Sequence, residues 1–236
     1  MAAYRDRPSL INEGGVTNGR VGPYGETYTI PVLNAHQGAA DEGSNFVAIN
    51  PTAGTGIIGH AAPTTFDEAK PFLIVYNGND TRRVQINSIH LVKTVIEVGS
   101  TRVQWNFSVD AGNRYSSAGT ALTVNNVNMD SALTSGVSVY AGAVVGTTVS
   151  SSRRLLGNYV VRGANIGVVW DTEEFIFGAP AGRSGSSITS TTLAHHYTRY
   201  LPPVVLGPTD SFAAVQWAAS QSTGPTYEVV VNFTVR

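Results

Sequence analysis

The chain contains no cysteine. Disulfides and thiolate metal centres are therefore excluded, and the redox compartment is left open. Charge is scarce as well. Charged residues make up 13%, where an ordinary domain carries about a quarter. The net charge is −1, which gives no case for a nucleic-acid or anionic-membrane partner. Only 2 lysines accompany 13 arginines. Arginine's planar fork tolerates interfaces better than an ammonium does, so the bias fits contacts between subunits, with a GC-rich coding bias as the equal alternative. No segment approaches the roughly 20 apolar residues needed to cross a bilayer. The opening Met-Ala-Ala-Tyr-Arg-Asp lacks an apolar signal core, so synthesis in the cytoplasm without export is expected.

Ser, Thr, Asn, Gly and Ala fill the space left by charge. A chain of 236 residues is long enough to bury a core without staples. Its central stretch is 71–110, PFLIVYNGNDTRRVQINSIHLVKTVIEVGSTRVQWNFSVD. Strand formers dominate 72–76, and Asn77-Gly78 supplies a tight reversal. A second run covers 84–98, and Gly99-Ser100 fits a two-residue hairpin. The third, 101–109, places Val103, Trp105, Phe107 and Val109 on one face and Arg102, Gln104, Asn106 and Ser108 on the other. The spacing predicts a three-stranded antiparallel meander. In that register Ile96 faces Val103, Thr94 faces Trp105, Val92 faces Phe107, and an exposed Glu97 meets Arg102.

Further strands are expected at 120–124, 137–149, 155–161, 166–170, 174–177, 188–193 and 195–201. The first large one among these puts Val137, Val139, Ala141, Ala143 and Val145 on one face. Residues 211–219 and 227–235 read as a closing hairpin across Ser222-Thr-Gly-Pro225, although Ala-Ala-Val-Gln-Trp-Ala-Ala also suits a helix. About ten strands with long polar connections predict an all-β fold. The expected form is a β-sandwich of jelly-roll or Greek-key type over 71–236. Residues 1–70 hold 10 glycines and 5 prolines and are expected to form an extended arm with short strands. Its apolar pieces supply candidate contact residues: Tyr28, Ile30, Val32, Phe46 and Ile49. The basic doublets Arg82-Arg83 and Arg153-Arg154, each next to a turn, complete the candidate interface.

Catalytic and cofactor motifs do not assemble. Gly54-Thr-Gly-Ile-Ile-Gly59 fits the dinucleotide pattern, but Pro63 prevents the helix that would hold a pyrophosphate. His195-His196 point to opposite faces of a strand. Glu173-Glu174 and Asp67-Glu68 are adjacent pairs that do not converge, and Glu173-Glu174 reads as a solvated acidic turn. No G-x-S-x-G and no calcium-loop frame occurs. No enzyme, cofactor or metal is expected.

The segment TTFDEAKPFLIVYNGN (64–79), the run 84–92 and the closing strand 228–236 resemble virion accessory proteins of tailed bacteriophages, of the capsid-decoration and head-spike kind. The resemblance implies a homo-oligomer, with a trimer favoured, docked on the major capsid protein or another virion protein. It also implies location in the virion and no catalytic residues. A receptor- or carbohydrate-binding sandwich is the rival expectation, with Tyr115, Tyr159, Tyr197 and Tyr200 as candidate exposed aromatics.

Overall fold

A computed structural model describes residues 20–21, 27–28, 35–61, 66–99, 103–162, 169–178, 186–187, 196–218 and 221–236. The chain divides into two units, Met1–Gly38 and Ala39–Arg236. The first contains a short antiparallel ladder of β1 (Arg20–Val21) and β2 (Thr27–Tyr28). The expected contact residues Ile30 and Val32 lie outside the described residues.

One helix occurs among the described residues, α1 (Ala35–Asp41). Its end is fixed by Gly43 at φ +71°. The Gly43 N–H donates to the Ala40 carbonyl at 2.9 Å, and the Ser44 N–H to that of Ala39 at 2.8 Å. This left-handed cap satisfies carbonyls that the last turn leaves open.

The strands that follow are β3 (Asn45–Ile49), β4 (Ile57–Ile58), β5 (Leu73–Asn77), β6 (Val84–Val95), β7 (Val98–Gly99) and β8 (Val103–Asp110). Next come β9 (Tyr115–Ala121), β10 (Thr123–Asn126), β11 (Val137–Gly146), β12 (Arg154–Arg162), β13 (Thr172–Phe177) and β14 (Ser186–Ser187). Last are β15 (His196–Leu201), β16 (Val204–Leu206), β17 (Ser211–Trp217), β18 (Gln221–Thr223) and β19 (Thr226–Val235). A nine-stranded sheet runs β10-β3-β19-β6-β13-β15-β14, with β16 on β6 and β4 on β19. A six-stranded sheet runs β12-β8-β17-β5-β11-β9. Pairing is antiparallel except between β13 and β15, which run parallel.

The two sheets share one core. Trp105 of β8 meets Phe175 of β13 at 5.8 Å and Phe72 at 5.5 Å between ring centroids. Phe107 meets Phe175 at 4.9 Å and Phe212 at 5.8 Å. Phe72 meets Tyr227 of β19 at 5.4 Å. Edge-to-face pairs of this kind add about 0.5–1.5 kcal/mol each beyond their buried area. The chain is an all-β sandwich, as its patterning predicts. Successive strands change layer: β5 lies in the small sheet, β6 in the large one and β8 in the small one again. Such crossing is how a jelly-roll-like sandwich is wound, and an up-and-down barrel lacks it.

That crossing overturns the meander. β6 and β8 lie in opposite sheets, so the Ile96–Val103, Thr94–Trp105 and Val92–Phe107 pairs do not form. The inward face of β6 also changes. Asn87 is an extra residue opposite the Phe233/Asn232 step of β19, and Thr94 is another opposite Tyr227/Thr226. Each bulge shifts the alternation by one. Ile89, Leu91 and Lys93 therefore face inward, and Val92 faces outward. In β11, Gly142 at φ +96° does the same: Val139 and Ala141 are buried, then Val144 replaces Val145, which is exposed. The closing hairpin is overturned too. β17 belongs to the six-stranded sheet and β19 to the nine-stranded one, with β18 pairing β7 between them. Residues 211–217 form a strand, and β19 buries Tyr227, Val229, Val231, Phe233 and Val235 as predicted.

Two pieces of the expected arm 1–70 belong to the nine-stranded sheet. Phe46 is 2% exposed and stacks on Phe233 at 5.7 Å between centroids. β3 pairs with β19 over five positions, from Val230–Ile49 to Thr234–Asn45. Residues 45–49 and 57–58 are therefore sheet strands. Apolar alternation in Phe46, Val47 and Ala48 outweighs the glycine punctuation around it. Of the expected strand 166–170, only Val169 and Trp170 are described, and they form a turn. The expected strand 188–193 lies outside the described residues.

Candidate functional site

Strand β13 sits between β6 and β15, and its alternation sends Glu173 into the core and Glu174 outward. Glu173 is 3% exposed, so the acidic pair is not a solvated turn. The indole Nε1–H of Trp105 donates to Glu173 Oε2. The Tyr227 hydroxyl donates to Oε1 at 3.2 Å and accepts from Gln216 Nε2 at 3.0 Å. Beside them Lys93 Nζ contacts Glu97 Oε2 at 2.8 Å, with both side chains almost fully enclosed. The Lys93 ammonium also lies 5.7 Å from the centre of the Tyr227 ring.

Burial raises the acid's pKa. It pushes Glu173 above the usual carboxylate range, against the pull of Lys93 and of the Trp105 and Tyr227 hydrogen bonds. Burial also pushes the Tyr227 hydroxyl well up, with the Glu173 and Glu97 charges adding to it. The network has four charged or hydroxyl groups, Lys93, Glu97, Glu173 and Tyr227, all enclosed. Its chemistry is that of an internal clamp between sheets, with no group presented to a ligand. Glu174, on the other face, lies 3.6 Å from His196 Nε2 and accepts from the Thr198 hydroxyl at 3.2 Å. The two carboxylates diverge, as adjacent strand positions must.

A second network ties loops to the small sheet. Arg114 Nη1 contacts Asp110 Oδ2 at 3.1 Å, and its remaining nitrogens donate to the Thr147 and Glu68 carbonyls. Burial opposes ionisation of Asp110. Hydrogen bonds from the Ser150 hydroxyl and backbone N–H, with Arg114, outweigh it and hold the carboxyl below the usual range.

The candidate interface residues are scattered. Tyr28 lies in the β1–β2 ladder. Ile49 ends β3 and is 37% exposed. Arg153 makes an intramolecular ion pair with Glu68 at 3.0 Å. Arg82 donates to Asn79 Oδ1 at 2.7 Å. Arg83 and Arg154 are exposed. The glycine motif leads into strand β4, not into a helix. Among the described residues, no three His, Asp or Glu side chains gather. In the 125–130 loop, the Asn126 amide donates to the Gly43 and Leu133 carbonyls and that of Asn128 to Asp41, which braces the loop against the helix end.

Of the four candidate tyrosines, Tyr115 stacks on Tyr140 at 3.7 Å, Tyr159 packs on Phe107, and Tyr197 is buried. Tyr200 is exposed. Sequence reasoning missed Trp170, which is 62% exposed at φ +73°. In the sequence it reads as the end of an apolar strand, 166–170, and only the turn formed by Val169 and Trp170 exposes it.

One open concavity collects charge. A cleft of about 460 Å³ is lined by Thr81, Arg83, Gln85, Val205 and Arg236. A second, of about 370 Å³ near β4 and β9, is lined by threonine, glycine and apolar residues, Thr52, Thr55, Ile57 and Gly119 among them, and carries no charged group.

The fold and these networks define an all-β sandwich with a polar clamp in its core. Comparison of the chain with protein-family models, with curated proteins and with solved structures returned no match.

Proposed function

We propose that the chain is a structural virion protein of a tailed phage that decorates or cements a capsid, acting as a homo-oligomer. A trimer is the favoured form, and the major capsid protein or another virion protein is the partner. The observation that carries this reading is the division of the chain. A self-contained sandwich, Ala39–Arg236, is preceded by the separate unit Met1–Gly38. Among the described residues, none before α1 joins the nine- or six-stranded sheet, and a segment of that kind can add to the sheet edge of a neighbour. The sandwich supplies a second element: β12 is the outer strand of the small sheet and pairs only with β8 among the described residues. Edge strands of this kind accept further strands.

The test is mass in solution by light scattering for the full chain and for residues 39–236. The full chain is expected to form a closed oligomer, and the shorter one a folded monomer. A full chain that stays monomeric at the highest attainable concentration counts against the reading. The truncation belongs at 38, because a cut at 60 removes β3 and β4.

A second reading, a receptor- or carbohydrate-binding module, is favoured by Trp170. Its N–H donates to the Lys93 carbonyl, beside the end of β6 where Val95, Ile96 and Val98 are also exposed. An exposed indole in such a setting suits the apolar face of a sugar ring. Loss of glycan-array signal on Trp170→Ala supports it, and an array without hits for the intact chain removes it.

A further inference from the structure

Arg83 and Arg236 are cross-strand partners. The Arg83 N–H donates to the Arg236 carbonyl at 2.8 Å, and the Arg236 N–H to the Arg83 carbonyl at 2.9 Å. This is a closed hydrogen-bonded pair, so both side chains leave the sheet on the same face, directly opposite one another. Their neighbours Val84 and Val235 are buried, which sends both arginines outward. Like charges at directly opposed positions repel. Native sheets relieve that repulsion with a carboxylate nearby. Here no Asp or Glu side chain of the described residues comes within 4.0 Å of either guanidinium, and the single main-chain carboxylate of Arg236 offsets only part of the pair's charge.

The surroundings are those of a receptor for something negative. Gln85 stands two residues after Arg83, so the alternation of β6 puts both on one face, and Thr81, in the bend before the strand, also lines the cleft. Val205 pairs with Gln85 from β16 and closes the far wall. Together the five residues line the cleft of about 460 Å³. Two guanidinium forks offer paired N–H donors with the geometry of oxyanion edges. Thr81 and Gln85 add neutral donors. The volume lies within the range of small-molecule sites and leaves room for an organic group attached to the anion.

We propose that this cleft binds a tetrahedral oxyanion, phosphate or sulfate, either free or as the monoester of a small polar molecule such as a sugar. The anion bridges Arg83 and Arg236 and relieves their repulsion. The site is independent of the virion reading: it stands or falls on binding by the full chain alone.

The experiment is isothermal titration of the full chain with inorganic phosphate, inorganic sulfate, glucose 6-phosphate and glucose, at low salt. Saturable binding of the anions is expected, weakening as salt screens the charges, with none for glucose. Binding of glucose 6-phosphate alone assigns the site to esters; binding of the inorganic anions as well shows that the anion suffices. Arg83→Gln and Arg236→Gln should each weaken binding roughly tenfold or more, while Lys70→Gln, at an exposed cation elsewhere, leaves it unchanged. Thermal melting supplies a readout tied to the repulsion. Without ligand, Arg83→Gln should melt higher than the parent chain, and phosphate should raise the melting point of the parent but not of the double variant. Absence of saturable binding, or binding that survives in the double variant, overturns the proposal.

Discussion

Lys93 has a strongly hydrated ammonium, yet it is fully enclosed, and its contact with Glu97, the Tyr227 ring and the nearby Glu173 carboxyl repay its lost water. Removing one partner of such a pair leaves a bare buried charge, which costs about 3–5 kcal/mol. Lys93→Met is therefore expected to lower the urea midpoint by that order, and Lys93→Met with Glu97→Leu to recover most of it. A double variant as unstable as the single would show that the pair itself, rather than the orphaned charge, carries the stability. Two other carboxyls set the pH response in opposite senses. Asp110 has a lowered pKa in the fold. Its contribution is present above the ordinary carboxylate range and is lost as pH falls through its lowered value, so Asp110→Asn should flatten the acid limb of stability against pH. Glu173 has a raised pKa. Between the ordinary glutamate range and that raised value the fold holds a proton that the unfolded chain releases, so stability falls as pH rises across this window. Glu173→Gln should remove that decline, checked by urea midpoints measured across pH.

At the scale of strands, alternation told which residues go inside wherever the ladder was regular. Trp105 and Phe107 of β8, and Tyr227 to Val235 of β19, are inward as their period of two demands. Alternation carries no record of which strand lies alongside. The pairing of β8 with β12 and β17 depends on contacts far apart in sequence, so the local hairpin expected at Gly99-Ser100 was not the outcome. Bulges were equally hidden. Asn87 and Thr94 look like ordinary strand residues, and their extra length reverses which side of β6 is dry. The same reversal concealed the clamp: Lys93 and Glu173 are polar letters that resemble surface positions until the register is known. Gly142 is the one bulge with a visible mark. A Cβ there would stand 2.4 Å from Ile57 Cγ2 and 2.8 Å from the Ile58 carbonyl oxygen, at a φ that side chains avoid. Gly142→Ala is expected to cost about 3 kcal/mol or more, measured by chemical denaturation. A change within a few tenths of that of a surface substitution would show that β4 can move aside.

Across the molecule, the sandwich and the segment before it make different demands. Deleting 1–38, which also removes the first turn of α1, should leave the melting point of the sandwich nearly unchanged, because the described strands of both large sheets lie within Ala39–Arg236. Deleting 1–60 should abolish folding through loss of β3 and β4. Circular dichroism and thermal melts of the two truncations separate these outcomes. The winding of the nine-stranded sheet also governs the order of its making. β19, residues 226–235, is the strand that joins β3 to β6 and β4 to the sheet. While a ribosome is still adding the residues before it, β3 and β6 have no strand between them. Each then offers a bare hydrogen-bonding edge and a row of apolar side chains to whatever is nearby. The two large sheets thus close only after β19 has left the ribosome, and nascent chains stalled before residue 226 should be protease-sensitive and dependent on chaperones to stay apart.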